Sequence, residues 1–343
     1  MDTPPSPTVL ILGANGRLGL AAAQAFTAAG WRVLAQVRRG AAPGMPPGAT
    51  VLDTPVADTA RLAGQAAGAR VVVHALNPHY ARWEQEALPL LRAGLDLAQA
   101  LGARLMLPGN VYNYGPDLAV PTREDAPQRP HTAHGRIRVE MEAEIARRCR
   151  AGALRATVLT AGDFYGAGTG TWFDQAILKS LAKGRLVYPG PLDMPHAWAY
   201  LPDLGRAFVA LAVAGEDGKL PAFARFHFAG HTLTGTQVLQ GVERAAARLG
   251  LAAPKGGYRR GGMPWGAIRA LGLVLPLMRA LADMSYLWRV PHALDGQRLR
   301  AVVGELPCTP VEEALLETVR AVAGMGGTAV VAAKAGAGVS ARA

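Results

Sequence analysis

The sequence predicts an α/β fold: a doubly wound parallel sheet with a smaller, discontinuous C-terminal domain. Three observations carry this expectation. Over residues 1–165, short apolar runs alternate with longer helical runs. The first apolar run ends in a glycine-rich turn, "LGANGRLG", that opens a helix. After Tyr165 the alternation breaks and helical segments predominate. Strands separated by helices need right-handed crossovers, which give a parallel sheet covered on both faces.

The elements follow in order. "TVLILG" is a buried strand, and "RLGLAAAQAFTAAG" is an Ala-rich helix stopped at Gly30. "WRVLAQVRR" and "ATVLD" are the second and third strands. "DTARLAGQAAG" is a helix with Asp58 as N-cap, and "ARVVVHAL" is the fourth strand. "RWEQEALPLLRAGLDLAQALG" is a long helix holding an internal Pro89, followed by "ARLMLP" as the fifth strand. "GRIRVEMEAEIARRCRAG" is a helix, and "ALRATVLTAGDFYG" a strand and loop.

Beyond Tyr165, "GAGTGTWFDQAILKSLAKGR" reads as a Gly/Thr loop leading into one helix. "AYLPDLGRAFVALAVAG" is a helix entered through Pro202 and Asp203, with Asp203 as a cap. "TLTGTQVLQGVERAAARLG" is a helix capped by Thr234 or Thr236, and "TPVEEALLETVRAVAG" is the last one. "ALGLVLPLMRALA", interrupted by Pro276 and Arg279, is too short to span a bilayer. It reads as a helix on the core or at a subunit interface. Residues 1–165 form the expected dinucleotide-binding domain, with 196–230 returning to it; 166–195 and 231–327 form the substrate domain. The Ala/Gly-rich stretch 328–343 shows no helical stripe and is expected to be a mobile tail.

Composition narrows the function classes. Half the residues are apolar and 18% are charged, as in globular chains. A net charge of +11 favours anionic ligands. The groups Arg38-Arg39, Arg147-Arg148-Arg150 and Arg259-Arg260 are short, and no basic stripe is interleaved with aromatics. The expected partner is therefore a small-molecule substrate, with neither nucleic acid nor membrane, and with a homodimer as the candidate assembly. Cys149 and Cys308 stand far apart with no Cys or His at ligand spacing, which points away from a zinc site or disulfide framework. "MDTPPSP" lacks the basic start and apolar run of a signal peptide, so a cytoplasmic location is expected.

In "GANGRLG", Gly13, Gly16 and Gly19 stand at GxxGxxG spacing between strand and helix. The first glycine permits the tight turn, the second lets backbone N–H groups reach a pyrophosphate, and the third lets helix pack on strand. The helix N-terminus supplies positive charge for the phosphates. This is a Rossmann-type dinucleotide turn, and its candidate ligands are Gly13, Asn15, Gly16, Arg17, Leu18 and Gly19. The second strand ends Gln36-Val37-Arg38-Arg39, with no acid to accept from a ribose 2′-hydroxyl. An arginine there pairs with a 2′-phosphate. NADP(H) is thus expected in preference to NAD(H), with Arg38 the main 2′-phosphate ligand and Arg17 or Arg39 assisting.

With these residues in view, the chain resembles the extended short-chain dehydrogenase/reductase family, the NAD-dependent epimerase/dehydratase proteins, over residues 8–320. The resemblance rests on the order of "GANGRLG", "VLD", "HALNP", "NVYNYG", "AGDFYG" and "AYLPDLGRAF". It implies that Asp53 contacts adenine and that Ala75, Leu76 and Asn77 line the cofactor. It also implies a Ser/Thr, a Tyr and a Lys as catalysts. Counting back from Val111-Tyr112 puts Pro108 at the serine position; aligning "HGRIRVEME" puts His134 at the tyrosine and Arg138 at the lysine. A shifted register puts Thr132 and Arg136 there, and neither restores Tyr-x-x-x-Lys.

The substitutes still carry chemistry. His134 is a proton carrier near neutral pH, and Arg138 holds a ribose or phosphate without losing its proton. Asn110, Tyr112 or Tyr114 supplies the missing donor if it faces the cleft. His131, His196 and Tyr165 are further cleft candidates. The expected function is an NADP(H)-dependent oxidoreductase or epimerase-like enzyme for a small polar or nucleotide-linked substrate. The alternative is a non-catalytic NADP(H)-binding sensor or partner-binding protein of the same fold.

Overall fold

The structure, a computed structural model, describes residues 6–166, 170–251, 253 and 255–336. β1 (Thr8–Leu12) feeds α1 (Arg17–Ala28), followed by β2 (Arg32–Gln36), β3 (Thr50–Leu52), α2 (Thr59–Gln65) and β4 (Ala69–His74). Next come α3 (Trp83–Ala100), β5 (Arg104–Gly109), α4 (Ala133–Arg150) and β6 (Arg155–Thr160). The second half holds β7 (Asp163–Tyr165), β8 (Arg185–Tyr188), β9 (Pro195–Tyr200), α5 (Leu201–Glu216), β10 (Phe223–His227) and β11 (His231–Thr234). It ends with α6 (Gly235–Arg248), β12 (Arg259–Gly262), α7 (Trp265–Gly272), α8 (Pro276–Asp283), α9 (Gln297–Val303) and α10 (Val311–Gly336).

Seven strands form one parallel sheet in the order β10-β6-β5-β4-β1-β2-β3. The chain direction of travel reverses between β1 and β4, and the crevice at that point is where such sheets bind ligands. Alternate residues of the strands serve two cores. Val9, Ile11, Val71 and Val73 pack with α1 and α5; Leu10, Leu12, Val72 and Leu105 pack with α3 and α4. Burial on both faces explains the unbroken apolar runs of β1 and β4. The Ala-rich face of α1 lets α5 approach closely: a Cβ on Gly205 would stand 2.8 Å from the Ala21 carbonyl oxygen.

Two small sheets complete the fold, β11-β9-β7 and β12-β8. Their core joins Phe173, Tyr188, Trp198, Leu239 and Leu315. Of residues 196–230, α5 and β10 join the large sheet while β9 pairs with β7 and β11. Asp58 caps α2 by accepting from Arg61 N at 3.3 Å, as expected. Thr234, rather than Thr236, caps α6 in a reciprocal pair with Gln237.

Several sequence expectations need correction. The single helix expected after the Gly/Thr loop is instead two short turns, Phe173–Ile177 and Leu181–Lys183. Asp174 accepts from Gly170 N and Thr171 N, and Gly184 in the left-handed conformation ends the second turn. The single helix expected in "ALGLVLPLMRALA" is a hairpin, because Pro276 starts α8 and cannot continue α7. Asp203 is not a cap. It lies inside the first turn of α5, where it accepts from Thr309 N at 2.8 Å and Thr309 Oγ1 at 2.7 Å and pairs with Arg206. It therefore ties the segment before α10 to the large sheet's helix layer. α10 runs past Thr328 to Gly336, and the remainder of the expected tail, 337–343, lies outside the described residues.

Candidate active site

The glycine turn has the geometry its spacing requires. Gly13 takes φ 75°, open to glycine at little cost. A Cβ on Gly19 would overlap the Gly13 carbonyl oxygen, so α1 starts directly on the end of β1. Ala75 and Leu76 close the turn from β4: a Cβ on Gly13 would lie 3.1 Å from both the Ala75 oxygen and Leu76 Cδ2. The Leu18 side chain is buried in the core, leaving only its backbone for a ligand. The Asn15 side chain is spent on the loop after β2, donating to Arg39 O and Gly40 O and accepting from Ala42 N. It shapes the bed of Arg38 and Arg39, both exposed. Asp53 and Asn77 are also exposed beside the crevice.

Sequence reasoning missed Gln36. Its buried amide accepts from Gly13 N at 3.1 Å and donates to Val37 O and Thr54 O, stitching the turn to β2 and to the exit of β3. The sequence signal was an amide where an acid was expected. Arg17 reaches the loop after β7: a Cβ on Gly170 would overlap its guanidinium. Burial lowers its pKa and the Asp174 carboxylate opposes that shift. Arg17 thus bridges the glycine turn and the 170–174 loop.

The loop after β5 sorts its own polar groups. Asn110 caps the turn Val111–Tyr114 by accepting from Tyr112 N at 3.1 Å. Asn113 is buried and donates to Glu142 at 2.7 Å. The Tyr114 hydroxyl meets His227 Nε2 at 2.7 Å, also buried. Tyr112 faces the other way, toward Tyr80, Arg138 and Asp163. Burial first, then the Asp163 charge, push its pKa up to about 12, while the neighbouring Tyr80 hydroxyl and then the Arg138 charge oppose them.

His134 and Arg138 lie one turn apart on α4 but in different settings. His134 is only 5% exposed. Its ring stacks on Tyr80 at 4.3 Å and packs on Trp83 at 5.1 Å, and its Nε2 lies 3.2 Å from the Tyr80 carbonyl oxygen. Burial lowers its pKa, which keeps it neutral. Arg138 donates to Pro108 O at 3.2 Å and lies 4.7 Å over the Trp83 ring. Arg138 therefore bears on Tyr112, while His134 is part of an aromatic wall.

A second constellation faces Tyr112 from the small sheet. β7 and β9 run parallel, and Gly162 abuts the Ala197 backbone with no room for a Cβ. That contact brings Asp163 to His196 Nε2 at 2.8 Å. The His196 ring stacks on Trp288 at 4.3 Å and meets His292 at 4.2 Å. Burial, reinforced by His196, drives the His292 pKa down to about 3, so it stays neutral. His131 packs edge-on to Tyr286 at 4.2 Å. Tyr165 is buried away on His231 at 2.6 Å and is structural. Asp163, Tyr80, Tyr286 and Trp288 were not singled out from the sequence.

Among the described residues, Trp83 Nε1, Arg138 Nε and the Tyr286 hydroxyl are buried without a protein partner. Buried polar atoms are normally satisfied, so such a concentration in one cleft points to a ligand. The glycine cradle, which a Cβ would fill, fits a dinucleotide at the other end of the same crevice.

The sequence profile of the NAD dependent epimerase/dehydratase family matches residues 9–222. The chain belongs to that family. No curated protein matches the chain by sequence. Similar solved structures of this epimerase/dehydratase fold include a UDP-galactose 4-epimerase, 17% identical, TM-score 0.70, covering 93% of this chain and 99% of that one. The UDP-glucose-4-epimerase of Stenotrophomonas maltophila, with bound NAD and formylated UDP-arabinopyranose, is 14% identical, TM-score 0.74, covering 94% and 99%. An NAD dependent NDP-hexosamine 5,6-dehydratase of tunicamycin biosynthesis is 20% identical, TM-score 0.68, covering 93% and 98%. As a member of the epimerase/dehydratase family, the chain carries the glycine-rich turn between β1 and α1. Among the described residues no helix is long and apolar enough to cross a membrane.

Proposed function

We propose that the chain is an NADP(H)-dependent oxidoreductase or epimerase-like enzyme for a small polar or nucleotide-linked substrate, with Tyr112 as its proton carrier. The observation that carries this reading is the setting of Tyr112. Of the polar side chains in "NVYNYG", it is the one on which Arg138 and Asp163 act, while Asn110, Asn113 and Tyr114 are bonded to Tyr112 N, Glu142 and His227. Backbone N–H groups from Gly13 to Gly19 would hold the pyrophosphate, with Arg17 beside it, and Ala75 to Asn77 would line the nicotinamide side. Asp53 would meet the adenine and Arg38 the 2′-phosphate. When bound, the nicotinamide supplies the hydride donor and acceptor.

With its pKa near 12, Tyr112 is protonated at neutral pH and donates to a substrate oxygen that gains negative charge. Arg138 stabilises the phenolate left behind. Asp163, held by His196, presents a carboxylate for substrate hydroxyls. His134 then serves as a packing support for Tyr80 instead of the acid/base. A panel of carbonyl compounds and nucleotide sugars, assayed with NADPH, tests the reading. Turnover of any of them supports it, and tight NADPH binding with no turnover across the panel favours a non-catalytic sensor.

Cofactor choice has its own test. Arg38→Ala should weaken NADPH binding by about tenfold or more, the loss of one charge-assisted contact, and leave NADH binding within about twofold. Fluorescence titration with both nucleotides measures it. Equal affinities, unchanged by the substitution, would reject NADP preference.

A further inference from the structure

The tip of the α7–α8 hairpin is exposed and apolar. Leu273 and Val274 are 80% and 79% exposed, and Leu271 and Leu275 are each 49% exposed. Single exposed apolar residues are ordinary, but four in five consecutive positions form a patch that marks an interaction site. The tip's backbone is also self-satisfied. The N–H groups of Leu273, Val274 and Leu275 donate to Ala270 O or Leu271 O. Arg279 returns to the tip and donates to Gly272 O at 3.0 Å and Leu273 O at 3.2 Å. A segment that enters an apolar medium must satisfy its backbone internally, and this one does so at these positions.

The surroundings specify the medium. Between Glu243 and Asp283 the chain carries no Asp or Glu, yet it carries Lys255, Arg259, Arg269 and Arg279 among its cations. Arg269 and Arg279 flank the tip, one on each helix. We infer that the hairpin docks this protein onto an anionic membrane surface: Leu271, Leu273, Val274 and Leu275 enter the interface and the basic residues meet lipid phosphates. Apolar insertion combined with a basic rim is the pattern of peripheral binding, distinct from a spanning helix. α8 packs on the turn Tyr80–Arg82 and leads into the turn Met284–Trp288, so the finger stands beside the cleft.

The test is sedimentation of the full chain with phosphatidylcholine vesicles, with and without phosphatidylglycerol. Binding is expected only with phosphatidylglycerol, and it should fall as salt rises. Val274→Asp and Leu273→Asp lie at open positions and should each weaken vesicle binding by about tenfold or more, with circular dichroism and NADPH binding unchanged. Arg269→Glu should weaken it as well. Absence of binding to anionic vesicles, or binding that Val274→Asp leaves intact, overturns the inference. A wild-type dimer that Val274→Asp turns into a monomer, without vesicle binding, assigns the tip to a second copy and also overturns it.

Discussion

Tyr112→Phe is expected to lower the turnover number by about 100-fold or more while NADPH affinity stays within about twofold, the range set by loss of a positioned acid. The substitution removes one oxygen and keeps the ring that packs near Tyr80 and Tyr286. The hydroxyl it removes is the one on which the Asp163 and Arg138 charges act in opposite directions. Steady-state kinetics on any substrate found in the panel, with a parallel NADPH titration, separates a chemical loss from a binding loss. His134→Phe is the contrast. It keeps a ring on Tyr80, and single-turnover NADPH oxidation should change far less than in Tyr112→Phe. A collapse of the rate in His134→Phe with normal folding would assign the proton to His134 instead. Asp163→Asn removes a charge that raises the Tyr112 pKa, so any alkaline limb due to Tyr112 should move to lower pH.

A second large effect concerns stability. The protein should lose stability steadily as pH falls below about 6.5, the pKa of histidine in an unfolded chain. Burial lowers the pKa of His74, His134, His227, His231 and His292, so the folded chain keeps them neutral. Below about pH 6.5 the unfolded chain binds protons that the folded chain refuses, and unfolding gains. The contribution is fully present above that pH. It is lost as pH falls toward each folded value, for His292 down to about 3. Each such histidine costs up to roughly 1.4 kcal/mol per pH unit within its own window. Two or three acting together would remove a large part of a typical stability of about 5–15 kcal/mol by pH 5. Urea unfolding at pH 7.5, 6 and 5 measures this. The midpoint should fall at each step, and His292→Gln should flatten the slope. A midpoint independent of pH over that range would contradict it.

Much of the fold was legible because it rests on short-range patterns. The apolar runs of β1 and β4 and the glycine spacing each declare themselves within ten residues. The second strand likewise showed the missing acid. What it did not show was that Gln36 spans from Gly13 to Thr54, since that depends on three chain segments meeting. The site was less legible for the same reason. Asn113 and Tyr114 turn inward because Glu142 and His227 wait for them, far along the chain. Asp163 and His196 meet only because β7 pairs with β9. No local spacing encodes that encounter. The family pattern named candidate residues, and the long-range partners of each side chain, which no local spacing encodes, fix how each is held.

The most direct measurement is a crystal structure of the protein with NADP⁺ and a substrate it turns over. The Tyr112 hydroxyl should lie within about 3 Å of the reacting substrate oxygen, the reach that proton transfer requires. Arg138 should stand beside it, and the His134 ring should remain stacked on Tyr80. A substrate oxygen bonded to His134 instead, with Tyr112 beyond hydrogen-bond reach, would contradict the assignment of the proton to Tyr112.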